Sequence, residues 1–272
     1  MSLSLCMIVR NEERNLQSCL DSVQGLADEL IVVDTGSTDS TPHIAAHNGA
    51  MVIPFDFAFV DFAAARNRAL AHATGEWILV LDADETLDRD TFVIPSEPAG
   101  YYVERHNPAT TDYAVRLFPN RPDYRYRGRV HETLDSAILA AGGRLRRSNI
   151  RIRHNFSPDP ESRRRKNHWY IAILQEEIAA DPADDTRLDF LAAEYHQLEM
   201  FQEAAAVAER IVRARPLDAA AHLNLGIYHL VYQADSLRAS ADFERALALR
   251  PGYPEALSFL ATIHTGTAPH ES

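Results

Sequence analysis

Trp77-Ile78-Leu79-Val80-Leu81-Asp82-Ala83-Asp84-Glu85 decides the fold of this chain. Its apolar run Trp77–Leu81 reads as a strand buried on both faces, the kind that parallel sheets require. The strand ends in two carboxylates separated by one residue. In extended backbone, residues two apart share a face, so Asp82 and Asp84 can point at one site. Open α/β sheets bind ligands at that carboxyl edge. A carboxylate pair there suits a hard divalent cation and, through it, phosphate oxygens.

Outward from this stretch, strands alternate with helices. Leu3–Val9 is a buried strand, followed by a helix from about Glu12 to Val23 with Leu16, Leu20 and Val23 on one face. Leu30–Val33 is a short β-branched strand that ends at Asp34. The turn Thr35-Gly36-Ser37-Thr38-Asp39-Ser40-Thr41 is rich in cap formers and opens the next helix, with Pro42 in its first turn. Met51–Pro54 is a third strand, and a helix through Ala63–Ala73 presents Arg66 and Asn67. This alternation predicts right-handed βαβ units and a mostly parallel sheet. From Gly100 the pattern changes: Tyr101–Glu104, Tyr113–Phe118 and Asn149–His154 predict strands that extend the sheet or form a small second one. On the last of them Ile150, Ile152 and His154 share a face.

Ser157-Pro158-Asp159-Pro160 marks a boundary, giving domains at 1–156 and 157–272, and everything beyond it reads as helix. Pro182, Pro216 and Pro251 recur at spacings of 34 and 35 residues. That period resembles tetratricopeptide repeats. Leu191-Ala192, Tyr195, Ala204 and Ala208 fall at the family's small and large positions. Leu225-Gly226, Ala239, Phe243 and Ala246 do so in the next unit, allowing one inserted residue.

The composition is that of a soluble globular chain of 272 residues, 46% hydrophobic and 24% charged. A net charge of −12 argues against a protein that coats nucleic acid. The charge is uneven: residues 121–166 hold thirteen basic and five acidic side chains, an island that suggests a bound anion or a solvated arginine-rich surface. Cys6 and Cys19 form neither a disulfide framework nor a CxxC zinc site. Met1–Val9 is too short and lacks the basic leader of a signal peptide, and no stretch approaches 18 apolar residues. A cytoplasmic protein is expected, at most peripheral to a membrane. Arg163-Arg164-Arg165-Lys166 is a candidate contact for a diphosphate or an acidic membrane surface, with a solvated helix face as the simpler reading.

Together these segments resemble the family 2 glycosyltransferases, which have the nucleotide-diphospho-sugar GT-A fold. The resemblance covers roughly residues 1–155. It rests on Met7-Ile8-Val9-Arg10-Asn11-Glu12-Glu13, Val32-Val33-Asp34 with the turn after it, Ala65-Arg66-Asn67 and Leu81-Asp82-Ala83-Asp84-Glu85. A bacterial branch with an "HE" segment, here Gly128-Arg129-Val130-His131-Glu132, and C-terminal repeats is the nearest in character.

The resemblance implies an α/β transferase domain followed by an all-α repeat domain. It implies a metal-dependent inverting transfer of sugar from a nucleotide-diphospho-sugar, a UDP-sugar by family habit, to a hydroxyl of a glycan, lipopolysaccharide or protein. Asp34 matches the residue that contacts uracil or ribose, and Val9, Arg10 and Glu12 would line the nucleotide pocket. Asp82 and Asp84 match the DXD pair that binds metal and sugar-diphosphate, with Asp84 the direct ligand. His154 stands where many such enzymes place a further ligand, so Mn2+ or Mg2+ is the expected cofactor. Arg66 matches a helix residue near the donor. An acceptor hydroxyl needs a general base on the face opposite the leaving group, and Glu132 or its neighbour His131 is the candidate. About 70 residues separate Asp84 from Phe156, so repeats are expected to supply acceptor contacts, with Trp169 and Tyr170 as candidates, or to mediate a homo-oligomer. Two other classes compete: a repeat scaffold with a degenerate transferase domain, and a sugar-nucleotidyltransferase, whose glycine-rich N-terminal loop is missing from Leu3–Asn11.

Overall fold

A computed structural model describes residues 1–58, 60–107, 110–154 and 160–265. The chain divides into two compact units, Met1–Pro158 and Asp159–Ser272. The boundary expected between 156 and 157 lies outside the described residues.

The first unit carries strands β1 (Leu3–Val9), β2 (Glu29–Asp34), β3 (Met51–Pro54), β4 (Trp77–Val80), β5 (Glu85–Leu87), β6 (Gly100–His106), β7 (Thr111–Pro119) and β8 (Leu145–His154), with helices α1 (Leu16–Val23), α2 (Thr41–His47), α3 (Phe62–Leu70) and α4 (Asp135–Ala140). The strands form one sheet in the order β3-β2-β1-β4-β7-β6-β8-β5. β1, β2, β3 and β4 are mutually parallel, while β7 runs antiparallel to both β4 and β6. The middle strands therefore extend the first sheet.

Alternation along β1 builds two apolar layers. Leu5 and Met7 face Leu16, Leu20 and Val23 of α1, whereas Cys6 faces Ala65, Ala69 and Leu70 of α3. Strand order runs from β1 outward to β3 and from β4 outward in the opposite direction. The carboxyl ends of β1 and β4 flank that reversal, where open sheets leave a crevice.

Helix α1 starts at Leu16, not Glu12, because Asn11, Glu12 and Glu13 are spent on the loop after β2. The Glu12 N–H donates to Thr41 Oγ1 at 2.7 Å and the Glu13 N–H to Asp39 Oδ2 at 3.2 Å. Strand β8 begins four residues earlier than its β-branched run suggested, since pairing with β6 continues through Arg146 and Arg147.

The second unit is helical: α5 (Pro160–Ala180), α6 (Thr186–Gln197), α7 (Phe201–Ala214), α8 (Ala219–Ile227), α9 (Ser236–Leu249) and α10 (Pro254–Thr265). Pro182, Pro216 and Pro251 each sit in the turn that precedes a helix. Ala204, Ala208, Ala239 and Ala246 are buried, and Gly226 lies against the ring of fully buried Phe243. Helix α8 runs on into a π turn over Tyr228–Tyr232, whose wider winding accommodates the extra residue of the 35-residue unit. Among the described residues, no helix is long and apolar enough to cross a membrane.

Candidate active site

The loops after β1 and β2 are zipped together at the carboxyl edge. Asn11, in left-handed backbone at φ 57°, donates its N–H to Ser37 Oγ at 2.9 Å, and its Oδ1 accepts from the Thr38 N–H at 2.8 Å. Asp34 ends β2 and accepts from the Ser37 N–H at 3.1 Å, which fixes its carboxylate at the rim. Val9 is buried, and its carbonyl oxygen takes the N–H and hydroxyl of Thr35. Arg10 is exposed. Glu12 is half-buried, and burial first, then neighbouring Asp84, Asp82 and Asp39, push its carboxyl up against a lowering hydrogen bond from Asn15.

The two carboxylates of the acidic pair sit in different surroundings. Asp82 Oδ1 accepts from Arg66 Nη2 at 2.8 Å and Oδ2 from Arg116 Nη2 at 2.7 Å. Burial alone would raise the Asp82 carboxyl, but Arg116 and then Arg66 hold it well below the ordinary carboxylate range. The same Arg116 nitrogen reaches Glu85 Oε1 at 3.0 Å, and Glu85 has no exposed surface. Glu85 Oε2 in turn accepts the Asp82 N–H at 2.9 Å. Arg105 extends this chain of charges, touching Glu85 Oε1 at 3.3 Å and gripping both oxygens of Asp112.

Asp84 turns away from the arginines. Its Oδ2 lies 3.1 Å from His154 Nε2, and His154 Nδ1 contacts Asn107 Oδ1. The hydrogen bond that His154 donates to Asp84 is the main reason its imidazole titrates above its ordinary value. Two ligands ~2.1 Å from one small divalent ion and at about a right angle would be ~3.0 Å apart, so this pair fits a shared cation. Among the described residues no third His, Cys, Asp or Glu joins them, and diphosphate oxygens and water would complete such a site.

Arg66 and Asn67 tie α3 to the segment that carries His131 and Glu132. Asp61 caps α3 by accepting from the Ala64 N–H at 2.7 Å. The Asn67 amide brackets the Tyr126 backbone, donating to its carbonyl at 2.9 Å and accepting its N–H at 2.8 Å. Arg127 and Thr133 close the following loop through two backbone hydrogen bonds of 3.0 Å. Within it His131 holds left-handed backbone at φ 49°, a conformation that costs a residue with a Cβ about 1 kcal/mol. Arg66 Nε donates to Glu132 Oε1 at 2.6 Å, so one guanidinium joins Asp82 to Glu132. A cavity of about 370 Å³ opens over this bridge, with Tyr102, Tyr113 and Tyr126 in its walls beside Asp82, His131 and Glu132.

The structure thus brings Arg66, Asp82, His131 and Glu132 to one cavity, places Asp84 with His154, and groups Asp34 with Arg10 and Glu12 on the zipped loops. Sequence reasoning missed Glu85, Arg105 and Arg116. Glu85 was visible as the fourth residue of the acidic stretch, but Arg116 lies 34 positions from Asp82 and no local pattern joins them.

Residues 4–94 match the Glycosyl transferase family 2 model. A TPR repeat-containing protein of Synechococcus elongatus is 46% identical over 148 residues, 51% of this chain and 36% of its own length. The SPbeta prophage-derived glycosyltransferase SunS of Bacillus subtilis is 26% identical over 219 residues, 73% of this chain and 50% of its own. The chain therefore spans half or less of the length of these curated relatives. The crystal structure of S. aureus TarS 1-349 in complex with UDP-GlcNAc superposes with a TM-score of 0.50 at 14% identity, covering 98% of this chain and 91% of that one, and shows the shared fold. Residues 4–94 of the first unit thus match glycosyl transferase family 2 within a GT-A fold, and the helical part that follows has the 34- and 35-residue spacing of tetratricopeptide-like repeats.

Proposed function

We propose that this protein transfers a sugar from a nucleoside-diphosphate sugar to an acceptor hydroxyl with inversion at the anomeric carbon. The observation that carries the proposal is the shared guanidinium of Arg66, which holds a donor-side carboxylate, Asp82, and a candidate base, Glu132, at one cavity. Asp34 accepts from the base or ribose of the nucleotide, beside Arg10, Glu12 and the backbone end of Val9. UDP is the favoured nucleotide, by family habit and because the TarS structure of the same fold carries UDP-GlcNAc.

Mn2+ or Mg2+ held by Asp84 and His154 would supply positive charge for the departing diphosphate. Asp82, kept ionised by its two arginines, orients the donor sugar. Glu132 accepts the acceptor's proton: Arg66 takes one of its oxygens, and among the described residues no donor reaches the other. His131 is the alternative base. The acceptor is a glycan, a lipid-linked sugar or a protein side chain, taken up from the cytoplasm or from a membrane surface. The repeats serve acceptor binding or self-association.

A thermal-shift panel of nucleotide sugars with and without Mn2+ tests the proposal. At least one UDP-sugar should stabilise the protein in a Mn2+-dependent way, and Asp84→Ala should remove that dependence. A panel without any stabilising UDP-sugar would dismiss donor binding.

A further inference from the structure

We infer that Glu85 is the positioning residue of the acidic pair: one buried side chain and its strand register set the orientation of both Asp82 and Asp84. The inference rests on the transferase function proposed above, within which Glu85 touches no substrate. Three contacts carry it. Glu85 Oε2 accepts the backbone N–H of Asp82 at 2.9 Å, which fixes the turn out of β4. Glu85 Oε1 meets Arg116 Nη2 at 3.0 Å, and that nitrogen is also the one 2.7 Å from Asp82 Oδ2. Glu85 also begins β5, where it pairs directly with His154 of β8, so the register places the Asp84 side chain 3.1 Å from His154 Nε2.

The chemistry explains why a carboxylate with no exposed surface is used here. Arg116 is itself only 6% exposed and faces Asp82 on one side. With Glu85 neutral, the whole of its charge would fall on Asp82, drawing that carboxylate toward β7 and away from Arg66. A buried charge left with fewer partners reorganises its neighbours. Glu85 therefore balances Arg116 from behind, and Asp82 stays shared between Arg66 and Arg116. Loss of that balance should move reacting groups by fractions of an ångström, enough to lower turnover while leaving nucleotide contacts on the β1 and β2 loops in place.

Glu85→Gln keeps the size of the side chain and an acceptor for the Asp82 N–H, and Arg116→Gln removes the charge on the other side. With a UDP-sugar and Mn2+, each variant should lose at least tenfold in kcat, with donor KM changed less than threefold. The double variant should be no slower than the slower single. Unchanged kcat in both single variants, or a fall in kcat matched by the same loss in UDP affinity and in melting temperature, would overturn the inference. A second readout needs no substrate. The His154 ring signals in a long-range 1H–15N spectrum report its pairing with Asp84, and Glu85→Gln should shift them. Unmoved signals would overturn the inference even in a protein that releases UDP. If the unaltered protein releases UDP from no UDP-sugar, the transferase function fails separately, and the His154 signals still decide the role of Glu85.

Discussion

Asp82→Asn should destabilise the first unit far more than Asp84→Asn, although the two residues lie two positions apart in one motif. Removing one partner of a buried ion pair costs ~3–5 kcal/mol. Here each arginine keeps a second carboxylate, Glu132 at 2.6 Å for Arg66 and Glu85 at 3.0 Å for Arg116. The Asp82 side chain is also 30% exposed, so about half of that cost, ~2 kcal/mol, is expected. In a unit of this size 1 kcal/mol moves the melting temperature by about 2–4 °C, so Asp82→Asn should lower it by about 4–8 °C. Among the described residues Asp84 has a single ion-pair partner, His154, and both side chains are about one-fifth exposed. Its replacement should cost under about 1 kcal/mol in metal-free protein. Trp77 is buried in β4 of the first unit, and Trp169 belongs to the other unit. Thermal melts followed by Trp77 fluorescence in a Trp169→Phe background therefore read the correct transition. Equal losses for the two variants, or a neutral Asp82→Asn, would refute the division of roles within the pair.

Three further outcomes are expected. The Asp84–His154 pair raises the imidazole pKa above its ordinary value of 6.5, chiefly through the Asp84 hydrogen bond. Its stabilisation is therefore complete below that value and lost as pH rises through the folded-state pKa. Metal-free protein should exceed His154→Gln in stability at pH 5.5, with the gap closed by pH 8.5 in urea titrations. Glu132→Gln keeps an oxygen for Arg66 but cannot accept a proton, so turnover should fall ~100-fold or more with UDP affinity unchanged; a larger loss in His131→Gln would move the base to that residue. In the repeats, a Cβ on Gly226 would lie 2.6 Å from the Phe243 ring. Gly226→Ala should cost about 1–3 kcal/mol, visible as an earlier helical transition in circular dichroism.

The parts legible in sequence were those written locally. Apolar runs and turn chemistry placed β1 to β4, and the 34-residue proline spacing gave the repeats, including the extra residue that the π turn absorbs. Strand β5 (three residues) and helix α4 (six residues) are too short to leave a period. The start of α1 was misplaced because Asn11–Glu13 bond to a loop more than twenty-five residues away. The same limit hid the arginines. Arg66 was found through its motif, but Arg116 sits on β7 among alternating residues of an ordinary strand, and only the antiparallel pairing of β7 with β4 carries it to Asp82. Charge composition marked an arginine-rich island at 121–166, yet Arg66 and Arg116, whose guanidiniums hold Asp82, both lie outside it.

The central claim, sugar transfer from a UDP-sugar through the Asp84–His154 pair, is tested most directly by UDP release. The full chain would be incubated with Mn2+ and a set of UDP-sugars, and free UDP measured over time. At least one UDP-sugar should yield UDP well above the spontaneous rate, and Asp84→Ala should bring that rate down to background. No UDP from any sugar, or the same rate in Asp84→Ala, would contradict the account.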